Sequence, residues 1–113
     1  MFPLLAVFLG SGIGGVCRWA VSSWLNGSYP IGTLVANVIG CLLLGFLTKI
    51  APGDPQTKLL LTTGFCGGFT TFSTFINENF MMLRGSQLLL SLAYMLLSLT
   101  LGLAAAWLGY NLK

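Results

Sequence analysis

Four apolar runs, at about residues 3–24, 31–50, 58–83 and 88–110, fill nearly all of this 113-residue chain. A helix needs about 20 mainly apolar residues to cross the hydrocarbon of a bilayer, and each run is long enough. Three short turn-forming stretches separate them: Asn26-Gly27-Ser28-Tyr29-Pro30, Ala51-Pro52-Gly53-Asp54-Pro55-Gln56 and Arg84-Gly85-Ser86-Gln87. Little chain is left for a soluble domain. Inside lipid every backbone N–H and C=O has to be paired within the protein, so runs of this kind are helices. The expected fold is an all-α membrane protein, a single domain over 1–113 with four transmembrane helices.

Charge points the same way. Only 6% of the residues are charged, against about 25% in a soluble domain. The net charge of +3 rests on five basic residues, too few for a nucleic-acid surface and better suited to lipid headgroups. Histidine is absent, which removes the commonest metal ligand and proton shuttle. Cys17, Cys41 and Cys66 are scattered singly through apolar runs and read as small packing residues rather than a redox or metal set. The first run has no basic region before it, so a retained span is expected rather than a cleaved leader.

One stretch does not suit a plain lipid-facing helix. Gly64-Phe65-Cys66-Gly67-Gly68-Phe69-Thr70-Thr71-Phe72-Ser73-Thr74-Phe75 mixes glycines, hydroxyls and rings in the middle of the third run. Each glycine costs a helix about 1 kcal/mol relative to alanine, and β-branched residues add to that. The third helix is therefore expected to break near its middle. At that depth a break is tolerable only where the freed carbonyls meet an ion, water or another chain.

The other spans carry their own candidates. Gly10 and Gly14 form a small-xxx-small face for close helix packing, and Arg18 follows one turn later. Arg18 reads either as an interfacial anchor beside Trp19 and Trp24 or as an anion-attracting group at an aqueous vestibule. Asn37 reads either as an interhelical hydrogen-bonding residue or as a donor to a passing anion. Ser91, Tyr94 and Ser98 recur at helical spacing and place hydroxyls on one stripe of the fourth span. Lysines and arginines divide almost evenly between the two sides: Lys49, Lys58 and Lys113 against Arg84 and, if it faces that way, Arg18. So weak a bias allows insertion both ways up. Four helices are also too few to surround a wide pore, so oligomerisation is expected.

Gly32-Thr33-Leu34-Val35-Ala36-Asn37 with Gly40, followed by the Thr62-to-Phe75 block and preceded by a Gly-rich first span ending in Arg18-Trp19, resembles the Fluc (CrcB) family of fluoride channels. The resemblance covers essentially the whole chain in order and spacing. It implies a dual-topology, antiparallel homodimer in the bacterial plasma or inner membrane, with two narrow pores that let fluoride leave the cell passively. It also implies a structural sodium ion held by the backbone carbonyls of Gly67 and Thr70, which suits a hard cation's preference for oxygen. Phe72 and Phe75 correspond to the pore-lining rings, whose positive edges suit an anion. Asn37, Ser73, Thr74, Tyr94 and Ser98 would supply donors along the way, and Arg18 would face the vestibule. Glu78 matches a family carboxylate and reads either as a helix-end partner for Arg18 or a lysine, or as a pore residue. Beyond Ser98 the hydroxyl stripe stops.

Two rival classes are separable on the sequence. A small proton-coupled multidrug exporter of this size needs a carboxylate inside the membrane, usually in its first helix, and this first span has none. An assembly subunit would not need hydroxyls and rings at a break. An enzyme is not expected, since there is neither a nucleophile–base pair nor a ligand cluster.

Overall fold

The computed structural model describes residues 2–27, 29–50 and 54–112. Met1, Ser28, Ala51-Pro52-Gly53 of the second loop and Lys113 lie outside the described residues. Helices α1 (Phe2–Leu25) and α2 (Ile31–Ile50) are followed by α3 (Pro55–Leu59), a π-helix (Leu60–Cys66), α4 (Gly67–Phe69) and α5 (Phe72–Arg84), which together make the third span. Helix α6 (Leu88–Tyr110) closes the chain. Four helical units are long and apolar enough to cross a membrane, and no strand occurs among the described residues.

The third span starts sharply. Pro55 occupies the first turn, where its missing N–H costs nothing. Asp54 caps it, accepting from the Gln56 amide at 3.2 Å and the Thr57 hydroxyl at 2.8 Å. Those donors, the Thr57 hydroxyl first, hold the Asp54 carboxyl below its ordinary range. At the other end Gly85 has φ −88° and it is Ser86 that takes the left-handed conformation, φ 61°.

Glycines set how closely the helices approach. A Cβ at Gly10 would strike the backbone of Leu60 and Gly64, and one at Gly14 would strike the backbone of Phe65 and Phe69. Gly68 in turn lies against the backbone of Ser11. These contacts seat α1 on the third span, the face that the Gly10/Gly14 spacing predicts. On the other side α2 runs along α6, with Gly45 on the Ala106 carbonyl and Gly109 on the Leu42 carbonyl. In lipid such backbone-to-backbone packing takes the place of a hydrophobic driving force between helices.

The break lies later than the glycine pair. Gly67 is helical, with φ −62° and ψ −37°. The chain leaves the helix at Thr70 (φ −88°, ψ 158°) and Thr71 (φ −147°, ψ 122°). Gly68 is committed to α1, and the unwinding falls on two β-branched residues that adopt extended backbone readily. Before the break the turns widen into the π-helix over Leu60–Cys66, which composition does not announce. Such π segments gather at functional sites.

Gly109→Val should lower stability by about 1–3 kcal/mol through overpacking against α2. Gly12→Ala, with nothing within 4 Å of the added atom, should not lower it and should raise it by up to about 1 kcal/mol through helix propensity. Thermal unfolding in detergent, followed by size exclusion, compares the two.

Candidate functional site

The extended pair Thr70-Thr71 is held by Asn37 of α2. The Thr71 N–H donates to Asn37 Oδ1 at 2.8 Å, and Asn37 Nδ2 donates to the Thr71 carbonyl at 3.3 Å. A side-chain amide thus pairs with the backbone as a neighbouring strand would. The Thr71 N–H is therefore withdrawn from the Gly67 carbonyl, its partner in a continuous helix. In the same way the Thr74 N–H, which would serve the Thr70 carbonyl, donates to Thr71 Oγ1 at 3.2 Å and caps α5. The Cys66 carbonyl accepts both the amide and the hydroxyl of Thr70 at 3.0 Å. The Gly68 carbonyl accepts Arg18 Nε at 3.2 Å. Gly67 and Thr70 are thus two of the carbonyls that the break separates from their helical donors, alongside Gly68, which Arg18 serves instead.

Both residues face a groove of about 650 Å³ between α2, the third span and α6. Asn37, Thr71, Phe72, Phe75 and Ser98 line it too, and it continues past Cys41 and Cys66 to Thr48, Lys58 and Thr62. Asn37 and Thr48 are eleven residues apart on α2, so the groove follows roughly 16 Å of that helix. The Ser98 hydroxyl is buried and without a hydrogen-bond partner among the described residues. Asn37 Nδ2 carries two hydrogens and spends one on Thr71. The two rings stand 6.2 Å apart, tilted by 39°. Phe72 is 75% exposed and Phe75 only 9%, the latter packed on Tyr94 at 5.1 Å.

Not every candidate lines the groove. Ser73 is exposed on α5, and Thr74 is half-buried. Arg18 reaches the break from the α1 side, through the Gly68 carbonyl. The Tyr94 hydroxyl donates to Glu78 Oε1 at 2.7 Å.

Glu78 sits in a polar cluster built from three other elements. Its Oε2 accepts the Thr33 hydroxyl at 2.7 Å and Asn26 Nδ2 at 3.3 Å. Asn26 also ties down Thr33 itself, accepting its amide at 3.1 Å and donating to its Oγ1 at 3.3 Å. The carboxylate is satisfied by hydroxyl and amide donors, in place of the Arg18 or lysine partner expected of a helix-end acid. Asn26, read from sequence only as turn-forming, and Thr33 were missed as site residues. Thr33 lies four residues before Asn37 and so on the same face of α2, which was the available signal. A second buried pair, Ser91 donating to Asn79 at 2.8 Å, joins α6 to α5.

With this geometry in place, comparison with known proteins becomes informative. Residues 5–110 match the family described as CrcB-like protein, Camphor Resistance (CrcB). The chain belongs to that family. It is 44% identical to the fluoride-specific ion channel FluC of Serratia proteamaculans, covering 96% of this chain and 91% of that protein. It is 39% identical to FluC of Flavobacterium psychrophilum, over 96% and 94%. It is 43% identical to FluC 2 of Rhodococcus jostii, over 96% of each. Four membrane-spanning helices together with this membership make the chain a multi-pass membrane protein.

Asn37→Leu should cost about 1–3 kcal/mol, the usual penalty for leaving buried backbone groups unpaired. A lower unfolding midpoint in detergent is the expected reading.

Proposed function

We propose that this protein is a fluoride-selective channel, not an enzyme, working as an antiparallel homodimer with two pores that passively lower cytoplasmic fluoride. The observation that carries the reading is the Asn37-clamped break, which opens onto the same groove as two rings and a free hydroxyl. The names of the relatives, fluoride-specific ion channels, supply the ion.

Fluoride is small and strongly hydrated, so a pathway has to replace water's donors as it removes them. The second Asn37 amide hydrogen and the Ser98 hydroxyl are uncommitted donors on the groove. The edges of Phe72 and Phe75 offer weak positive potential without binding the ion so firmly that it stays. Ser73 and Thr74, which stand on α5 off this groove, would serve as donors only where the ion leaves it. Arg18, beside the break, contributes a fixed positive charge that attracts anions from the membrane face.

The carbonyls of Gly67 and Thr70 fit a sodium ion: they are hard oxygen ligands, they line the same groove, and their helical donors are engaged elsewhere. When bound, the ion would supply a fixed positive charge that neutralises the carbonyl dipoles of the break. Two copies would each bring these two carbonyls.

Liposomes loaded with fluoride and chloride should release fluoride and retain chloride, without a proton gradient. Equal loss of both anions, or a requirement for protons, would overturn the reading in favour of a coupled exporter. Phe72→Ile should reduce fluoride flux at least about tenfold while the protein elutes unchanged, because that ring is largely exposed and packs little. Phe75→Ile should lose both flux and thermal stability, since its ring is buried against Tyr94.

A further inference from the structure

We infer that Lys58 is the entry charge of the groove: it draws anions in at the end nearest the second loop and sets how fast they arrive, without choosing among them. The inference rests on the fluoride-channel reading and adds to it a residue that lies well away from the break.

Three observations support it. First, Lys58 is the one charged side chain lining the groove among the described residues. Arg18 approaches the break from the α1 side instead, with its Nε on the Gly68 carbonyl. Second, Lys58 is exposed, and its charge is not taken up by a neighbour. Lys49 lies over the Tyr110 ring at 5.7 Å and Arg84 over the Phe80 ring at 6.0 Å, whereas Lys58 has no such ring or acid partner among the described residues. Asp54, one turn earlier, is off the groove and accepts from the Gln56 amide and the Thr57 hydroxyl.

Third, the limb of the groove that leads to Lys58 is poor in free donors. Thr48 Oγ1 donates to the Leu44 carbonyl at 2.7 Å, and Thr62 Oγ1 donates to the Lys58 carbonyl at 2.7 Å. A hydroxyl has one hydrogen to give, so both are spent on their own helices. The Cys41 and Cys66 thiols are weak donors, which leaves Thr63 as the remaining hydroxyl on that limb. An anion there is governed by charge more than by hydrogen bonds.

Charge and donors act over different distances. Donors discriminate at contact, where Asn37, Ser98 and the rings converge. A charge at a mouth raises the local concentration of fluoride and chloride alike. Its reach is the Debye length, about 30 Å at 0.01 M salt and about 3 Å at 1 M. The groove runs roughly 16 Å along α2. Lys58 is therefore felt along the whole groove in dilute salt and only at its mouth in concentrated salt. In the inverted pair proposed above, each membrane face carries one such mouth, so inward and outward currents are affected equally.

Fluoride currents across planar bilayers of zwitterionic lipid test this, with ionic strength set by a bulky impermeant salt. At about 0.01 M salt and low fluoride, Lys58→Gln should reduce the current about twofold or more, and Lys58→Glu further, while Lys58→Arg keeps it. At about 1 M salt the variants should converge on the wild type. Raising fluoride should restore the maximal current, and chloride should stay excluded throughout. Lys49→Gln removes the same charge beside the same loop but off the groove, and should have little effect. An equal loss in Lys49→Gln would overturn the inference in favour of general surface charge. A Lys58→Gln current that is unchanged in dilute salt, or reduced equally at both salts, would overturn it too. So would a lower maximal current or admitted chloride, either of which would place Lys58 in the selective machinery. Each salt comparison is made within one variant, so differences in yield or folding cancel. Wild-type protein that carries no fluoride current would sink the channel reading itself, a failure distinct from these.

Discussion

A backbone amide inside lipid has to be paired, and between Thr70 and Thr71 this protein stops pairing helically. Asn37 meets that need with its side chain, giving Thr71 an acceptor and a donor. Much of the architecture follows from placing Asn37 there. Helix α2 has to lie against the break, which Gly40 permits, because a Cβ at that position would collide with the Thr70 methyl. Helix α6 then follows α2 through Gly45 and Gly109, while α1 is seated on the helical side of the break through Gly10, Gly14 and Gly68. One extended dipeptide thus fixes the spacing of helices on both sides of it.

Charge inside the membrane is handled by the same means. Arg18 and Glu78 would satisfy each other in a simple ion pair, and their sequence positions allow one. The fold separates them. Arg18 takes the Gly68 carbonyl, whose i+4 partner lies beyond the break. Glu78 takes two hydroxyls and an amide drawn from α2, α6 and the α1–α2 turn. Intramembrane charges persist where they find partners of this kind. The arrangement leaves Arg18 at the broken segment and keeps the carboxylate off the groove.

How legible this was in the sequence depended on how local each cause is. Hydropathy reveals the spans because a bilayer sets their length, and the Gly-, Pro- and Asn-rich turns mark their ends. That the third span fails near its middle was legible too, from a composition no regular lipid-facing helix favours. Where it fails was not. A Gly-Gly pair suits close packing as well as unwinding, and only the presence of Ser11 against Gly68 decides between them. Phe72 and Phe75 look equivalent on paper, yet one is 75% exposed and the other 9%. Their difference comes from Tyr94, about twenty residues away on another helix. The partners of Glu78 were illegible for the same reason, since they converge only after three helices have docked.

The proposed pairing of two copies answers a question that a single chain leaves open. Gly67 is exposed at the break, Phe72 extends beyond the packed core, and both sit at a depth where lipid would otherwise meet unpaired dipoles. A second copy in the same orientation would set two like faces side by side, displaced around an axis through the membrane. A copy in the opposite orientation, turned about an axis in the membrane plane, can bring break against break at the same depth. Inverted repeats within transporters place their sites near the midplane by this symmetry. The charges do not oppose it: Lys49 and Lys58 flank one side of the third span and Arg84 the other, so neither orientation is strongly excluded on insertion. Near-balance in charge and a polar break near mid-membrane are separate features of the sequence. An inverted pair is the arrangement in which each makes sense of the other.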